Sequence, residues 1–105
     1  MNKKIKVGNV DININTSAYF LVIYEQLTGS DLITDFKKMK NEKFSYKQLL
    51  DMLFSFAYNY DNNLDYKEFF QSIPLSEIMN EAFVTKLNNL IADVFISNNN
   101  INEKK

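Results

Sequence analysis

Residues 59–70 read NYDNNLDYKEFF. Two structures fit that string. It is the exit half of an EF-hand calcium loop, or it is the joint between two helices. The choice decides whether the chain is built around a metal or around a packed core.

An EF-hand loop needs oxygen ligands at positions 1, 3, 5, 7 and 9, a sharp turn at 6 and a bidentate Glu at 12. With Glu68 at position 12, Leu64 takes the apolar eighth position, Asp61 the fifth and Asn59 the third. The match then fails. Position 1 is Ala57, which has no side-chain oxygen, and position 6 is Asn62 instead of Gly. Asn tolerates a left-handed turn, but a hard cation cannot spare a charged ligand. Ala57 also falls on the apolar stripe of a preceding helix, and there is no second loop to pair with. Without metal, the same residues read as a cap. Asp65 opens a helix, and Glu68 three residues on completes a capping box worth about 1 kcal/mol. Leu64 then packs on Phe69 as a hydrophobic staple, and Phe69, Phe70 and Ile73 turn inward. The joint is the preferred reading, so no metal ligands are assigned.

Before this joint lies SYKQLLDMLFSFAYNY, residues 45–60. Ser45 with Gln48 is a second capping-box pattern. Leu49, Leu50, Leu53, Phe56, Ala57 and Tyr60 recur at helical spacing and form its buried stripe. After the joint, Pro74 opens the longest helix, predicted to end near Ile96. Met79, Phe83, Leu87, Leu90 and Val94 recur there at steps of three and four, with Ile78, Ile91 and Phe95 beside them.

Toward the N-terminus, KIKVGNVDINI (residues 4–14) alternates, with Ile5, Val7, Val10, Ile12 and Ile14 on one face. Gly8-Asn9 lies between the two runs, and both residue types tolerate positive φ, so the segment reads as a tight β-hairpin. An isolated hairpin is marginal in water, so it must lie on the helices. Thr16 or Ser17 is placed to cap a first helix, with Gly29 as its left-handed stop. Phe20, Ile23, Tyr24 and Leu27 make its stripe. Tyr19 and Val22 lie off that stripe. The helix is therefore apolar on more than one face, which predicts a central helix wrapped by its own domain. The alternative is that Tyr19 and Val22 face a partner. Ser30 opens a short second helix carrying Leu32, Phe36 and Met39, followed by the charged connector KKMKNEK, residues 37–43. The expected fold is α+β, mostly α: an N-terminal β-hairpin followed by about five helices. Residues 1–96 form one domain and 97–105 a flexible polar tail.

Composition narrows the function. The 105 residues suit one domain, and 46% hydrophobic and 14% aromatic content supplies a core. A formal net charge of −1 lacks the basic excess of a nucleic-acid protein. There is no cysteine and no histidine, and there are only two glycines. Thiolate and imidazole chemistry and a phosphate-cradling loop are thereby removed. No catalytic residues are assigned, and no enzyme or cofactor is expected. MNKKIKV lacks an apolar signal core, and no apolar run reaches the length of a membrane span, so an intracellular protein with no membrane partner is expected.

The order of these pieces resembles a known family. A hairpin leads into a helix ending YEQLTGSDL (residues 24–32); a short helix and a lysine-rich connector follow. SYKQLLDMLFSFAY, LDYKEFFQSI (residues 64–73) and a long closing helix complete the chain. It looks like the small tail assembly chaperones of long-tailed bacteriophages of Gram-positive hosts. Glu25, Thr28 and Gly29 match that family's Glu-x-x-Thr-Gly-like helix end, and Leu64, Glu68 and Phe69 match its Leu-x-x-x-Glu-hydrophobic helix start. The resemblance runs to about Ile96 and rests on caps and apolar spacing. It implies a non-enzymatic protein of the host-cell cytoplasm, absent from the mature virion. Such a protein coats the tape measure protein and helps recruit tail tube protein. It also implies the short, non-frameshifted form, with NNNINEKK as the tether where a longer form continues. A holdase for a helical client needs exposed apolar surface. Tyr19, Val22, Phe95 and Ile96 are the candidate partner-binding residues, and the same surface predicts self-association. The rival readings are a small helical module that binds a partner helix and a degenerate EF-hand-like calcium binder.

Overall fold

The hairpin forms as the alternation predicts. In the computed structural model, which describes residues 2–41 and 45–103 (side chains for 2–37 and 45–94), β1 (Asn2–Val7) pairs antiparallel with β2 (Val10–Asn15). The register sets Val7 opposite Val10, Ile5 opposite Ile12 and Lys3 opposite Ile14. Gly8 takes φ 62°, and among the described residues no non-glycine residue is left-handed, so Asn9 is not. Gly alone at the first central position defines a type II′ turn, whose twist matches that of the flanking strands. Ile5, Val7, Ile12 and Ile14 are buried on one face, while Lys4, Lys6, Asp11 and Asn13 are exposed on the other.

Six helices follow among the described residues: α1 (Tyr19–Thr28), α2 (Leu32–Asn41), α3 (Tyr46–Tyr60), α4 (Tyr66–Gln71), α5 (Leu75–Ile78) and α6 (Glu81–Glu103). The chain is thus α+β and mostly α. The expected capping of α1 by Thr16 or Ser17 is not what occurs. Ala18 holds the N-cap position without a side-chain bond, and Asn15 Oδ1 accepts from the Ser17 N–H at 2.9 Å, turning the chain out of β2. Gly29 ends α1 as expected, at φ 74°, its N–H donating to the Glu25 carbonyl. The α2 ladder opens on Asp31, one residue beyond the expected Ser30, with its carbonyl accepting from the Asp35 N–H. The side chain of Met39 and residues 42–43 of the connector lie outside the described residues.

The central helix is α3, not α1. Residues 51–57 of α3 are buried without interruption, which a one-sided stripe does not predict. The hairpin covers one side of α3 and α1 another, while α4 and α6 close the rest. Phe56 stacks on Phe20 of α1, with centroids 3.7 Å apart and planes 5° from parallel. On the opposite side, Phe54 meets Tyr66, Phe69 and Phe70 of α4, largely in edge-to-face geometry. The edge-to-face contacts of Phe54 are the ones the ring quadrupole favours, whereas the Phe20–Phe56 pair is close to face-to-face. Leu50 is only half-buried and Tyr60 is exposed, so the expected stripe is displaced toward Met52 and Phe54.

The polar residues inside this helix are satisfied. Ser55 Oγ donates to the Asp51 carbonyl at 2.7 Å. Asp51 accepts from Lys47 Nζ at 2.8 Å and from the Tyr66 hydroxyl at 2.7 Å. A buried carboxylate is tolerated only when so paired.

The long helix expected from Pro74 is divided. α5 ends at Ile78, and Asn80 starts α6 with its Oδ1 accepting from the Ala82 N–H at 2.8 Å. Met79 therefore leaves the stripe and is exposed, while Phe83, Leu87 and Ile91 pack into the core. The α6 backbone continues past Ile96 to Glu103.

Candidate interaction surface

The 59–70 segment is a joint. Its first two residues belong to α3, and the Asn59 amide donates to the Asn15 carbonyl at 2.8 Å and to Ser17 Oγ at 3.0 Å. Asp61 Oδ1 accepts from the Asn63 N–H, and Asp65 Oδ2 caps α4 through the Glu68 N–H at 3.0 Å. Asn59 is tied to the end of β2, Asp61 and Asp65 are committed to a turn and a cap, and Ala57 is buried inside α3. Leu64 and Phe69 both pack against the core. Among the described residues no group of three or more acids is placed to hold a metal ion.

The joint also shapes the surface beside it. An open groove of about 400 Å³ runs between Tyr19, Ile23 and Gln26 of α1 and the turn from Tyr58 to Asn62. A second, of about 330 Å³, continues past Gln26 and Leu27 to Phe54, Tyr58 and Tyr66. Ile23, Gln26 and Tyr58 border both, so the two form one trough along α1. Tyr19 is 58% exposed and Val22 44% exposed. Three residues apart, they share the outer side of α1. The wrapped-helix expectation therefore fails for these two residues. The side chains of Phe95 and Ile96 lie outside the described residues.

The trough has aromatic walls, with Asp61 and Asp65 at its edge. The Tyr66 hydroxyl is turned down onto Asp51, and burial together with that bond pushes its pKa up. The phenol stays protonated near neutral pH and acts as a structural donor. Lys47 is likewise held protonated by Asp51. Tyrosine walls offer large apolar faces with a polar edge, the surface that protein interfaces favour.

The sequence offered an outward Tyr19 and Val22 only as the alternative to a wrapped helix, and Tyr58 and Tyr66 were missed as trough walls. Lys47 and Asp51 stand four apart, which was a readable signal of a helical ion pair. That Tyr66 would join them across the joint had no local signal. No protein-family model, curated protein or solved structure matches the chain.

Proposed function

We propose that this protein is a non-enzymatic phage tail assembly chaperone that binds the tape measure protein in the host cytoplasm and helps recruit tail tube subunits. It leaves before the virion matures. The observation that carries this reading is the exposed pair Tyr19 and Val22 on the outer side of α1, where Tyr19 also lines the trough. The family resemblance described above supplies the client.

The physics of such a role is simple. A helical client buries its apolar side on the trough, and each apolar side chain covered contributes about 1.5–3 kcal/mol at full burial. Many weak contacts along a long client add by avidity and still yield to polymerising tube protein. The same trough drives self-association at high concentration. The trough also suits a small module that binds a single partner helix, and one experiment separates the two. The chain is co-expressed with a phage tape measure protein. The chaperone reading expects the long protein to become soluble. A plain helix-binding module leaves it insoluble.

A further inference from the structure

A second feature lies along the outer edge of β2. In the hairpin register, Val7–Val10 and Ile5–Ile12 are the hydrogen-bonded pairs flanking the two-residue turn, so Lys6–Asp11 and Lys4–Asn13 are not. The main-chain groups of Lys4, Lys6, Asp11 and Asn13 therefore point outward, along the two edges of the sheet.

The two edges differ. At β1 the Lys6 carbonyl is taken by Lys86 Nζ of α6 at 2.8 Å, and Lys3, Lys4 and Lys6 all stand exposed. Lysines are the usual guard of an edge strand. At β2 there is no such guard. Asn15 is tied by Asn59, but Asp11 and Asn13 border an open groove of about 250 Å³. Its floor is Leu64, Phe69 and Ile73, and its only charges are Asp11 and Asp61. Lys6 stands opposite Asp11 without closing an ion pair on it.

We propose that the outer edge of β2 is a strand-addition site for an extended, basic segment of a partner protein whose apolar and lysine or arginine residues alternate. The partner strand exchanges main-chain hydrogen bonds with Asp11 and Asn13. Its apolar side chains enter the groove, and its cations meet Asp11 and Asp61. This is the strand-augmentation mode of recognition, with the backbone supplying affinity and alternate side chains specificity. The site adjoins the α1 trough, with Tyr60, Asp61 and Leu64 on the boundary between them, but it does not depend on the chaperone reading.

The probe is a synthetic peptide of alternating lysine and valine, about six residues long, a usual strand length. Amide hydrogen exchange is followed by NMR on the full chain. The expected result is roughly tenfold or greater slowing of exchange at the Asp11 and Asn13 amides on peptide addition. A peptide alternating glutamate and valine gives no slowing. Asn13→Pro removes an outward N–H that the β1–β2 ladder does not use, so it abolishes the effect while the hairpin amides stay protected. Asp11→Lys, which leaves the backbone alone, weakens it. The proposal is overturned if neither peptide binds, if the acidic peptide binds equally well, or if binding leaves both amides unprotected. It is also overturned if these amides become protected in the protein alone as its concentration rises, because the occupant is then a second copy.

Discussion

The Tyr24 hydroxyl donates a 2.8 Å hydrogen bond to Asp35 Oδ2, tying α1 to α2 within the core. Both residues are buried, so each is the other's principal means of satisfaction. Tyr24→Phe strips a partner from a buried carboxylate and is expected to cost about 1–3 kcal/mol. The shift in the urea midpoint at unchanged m-value measures it.

That pair also sets an alkaline limit. Burial first, and then the bond to Asp35, push the Tyr24 pKa well above the ordinary tyrosine value. The folded state therefore holds its proton where the unfolded chain has begun to lose it. The stabilisation is complete below about pH 10, the unfolded tyrosine value, and is lost as pH rises above it. Tyr66, also raised, adds in the same direction. Stability measured between pH 8 and 11.5 is expected to fall steeply at the top of the range. In Tyr24→Phe the fall is shallower.

Asp51 joins α3 to α4 through Tyr66, and its other oxygen holds Lys47. The lysine side chain is 74% exposed. Lys47→Met is therefore expected to cost under about 1 kcal/mol, whereas Tyr66→Phe costs about 1–3 kcal/mol. Thermal unfolding of the two variants gives the order. A larger loss from the lysine would refute the assignment of Asp51 to the α3–α4 contact.

The hairpin turn abuts α5. A side chain at Gly8 would be left-handed and would also meet the Glu77 carboxyl group. Gly29 is left-handed too but has open space around it. Gly29→Ala is expected to cost about 1 kcal/mol from its backbone angle alone. Gly8→Ala costs more, and adding Glu77→Ala recovers the excess. Equal costs for the two single variants would mean that Glu77 yields freely.

The joint reading of residues 59–70 carries its own expectation. Asp65→Ala loses the α4 cap and about 1 kcal/mol, with or without calcium. A calcium titration followed by tyrosine fluorescence shows no saturable change, and a low-micromolar transition would restore the EF-hand.

Local grammar made the hairpin, the Gly29 helix end and the Asp65 cap readable, because each is decided by a few neighbouring residues. The centrality of α3 was hidden for a physical reason. Asp51 and Ser55 read as wet positions, yet both are buried, one paired across the joint and one bonded to its own backbone. A stripe drawn through apolar residues alone passes them by. The break between α5 and α6 was hidden because Met79 kept the apolar period going, while Asn80 offered a cap that outweighed it. For the trough, the outer pair on α1 was legible as a surplus of apolar residues. Its Tyr58 and Tyr66 walls depend on how the joint folds back, which is a tertiary fact.

The central claim is that the outer side of α1 binds the tape measure protein. The most direct measurement is co-purification of that protein with the native chain and with the Tyr19→Ser, Val22→Ser double variant. Both positions are exposed, so the variant is expected to unfold within about 0.5 kcal/mol of the native chain. The account predicts that the native chain brings the tape measure protein down in soluble form and that the folded variant recovers far less. Equal recovery by both, or no recovery by the native chain, would contradict it.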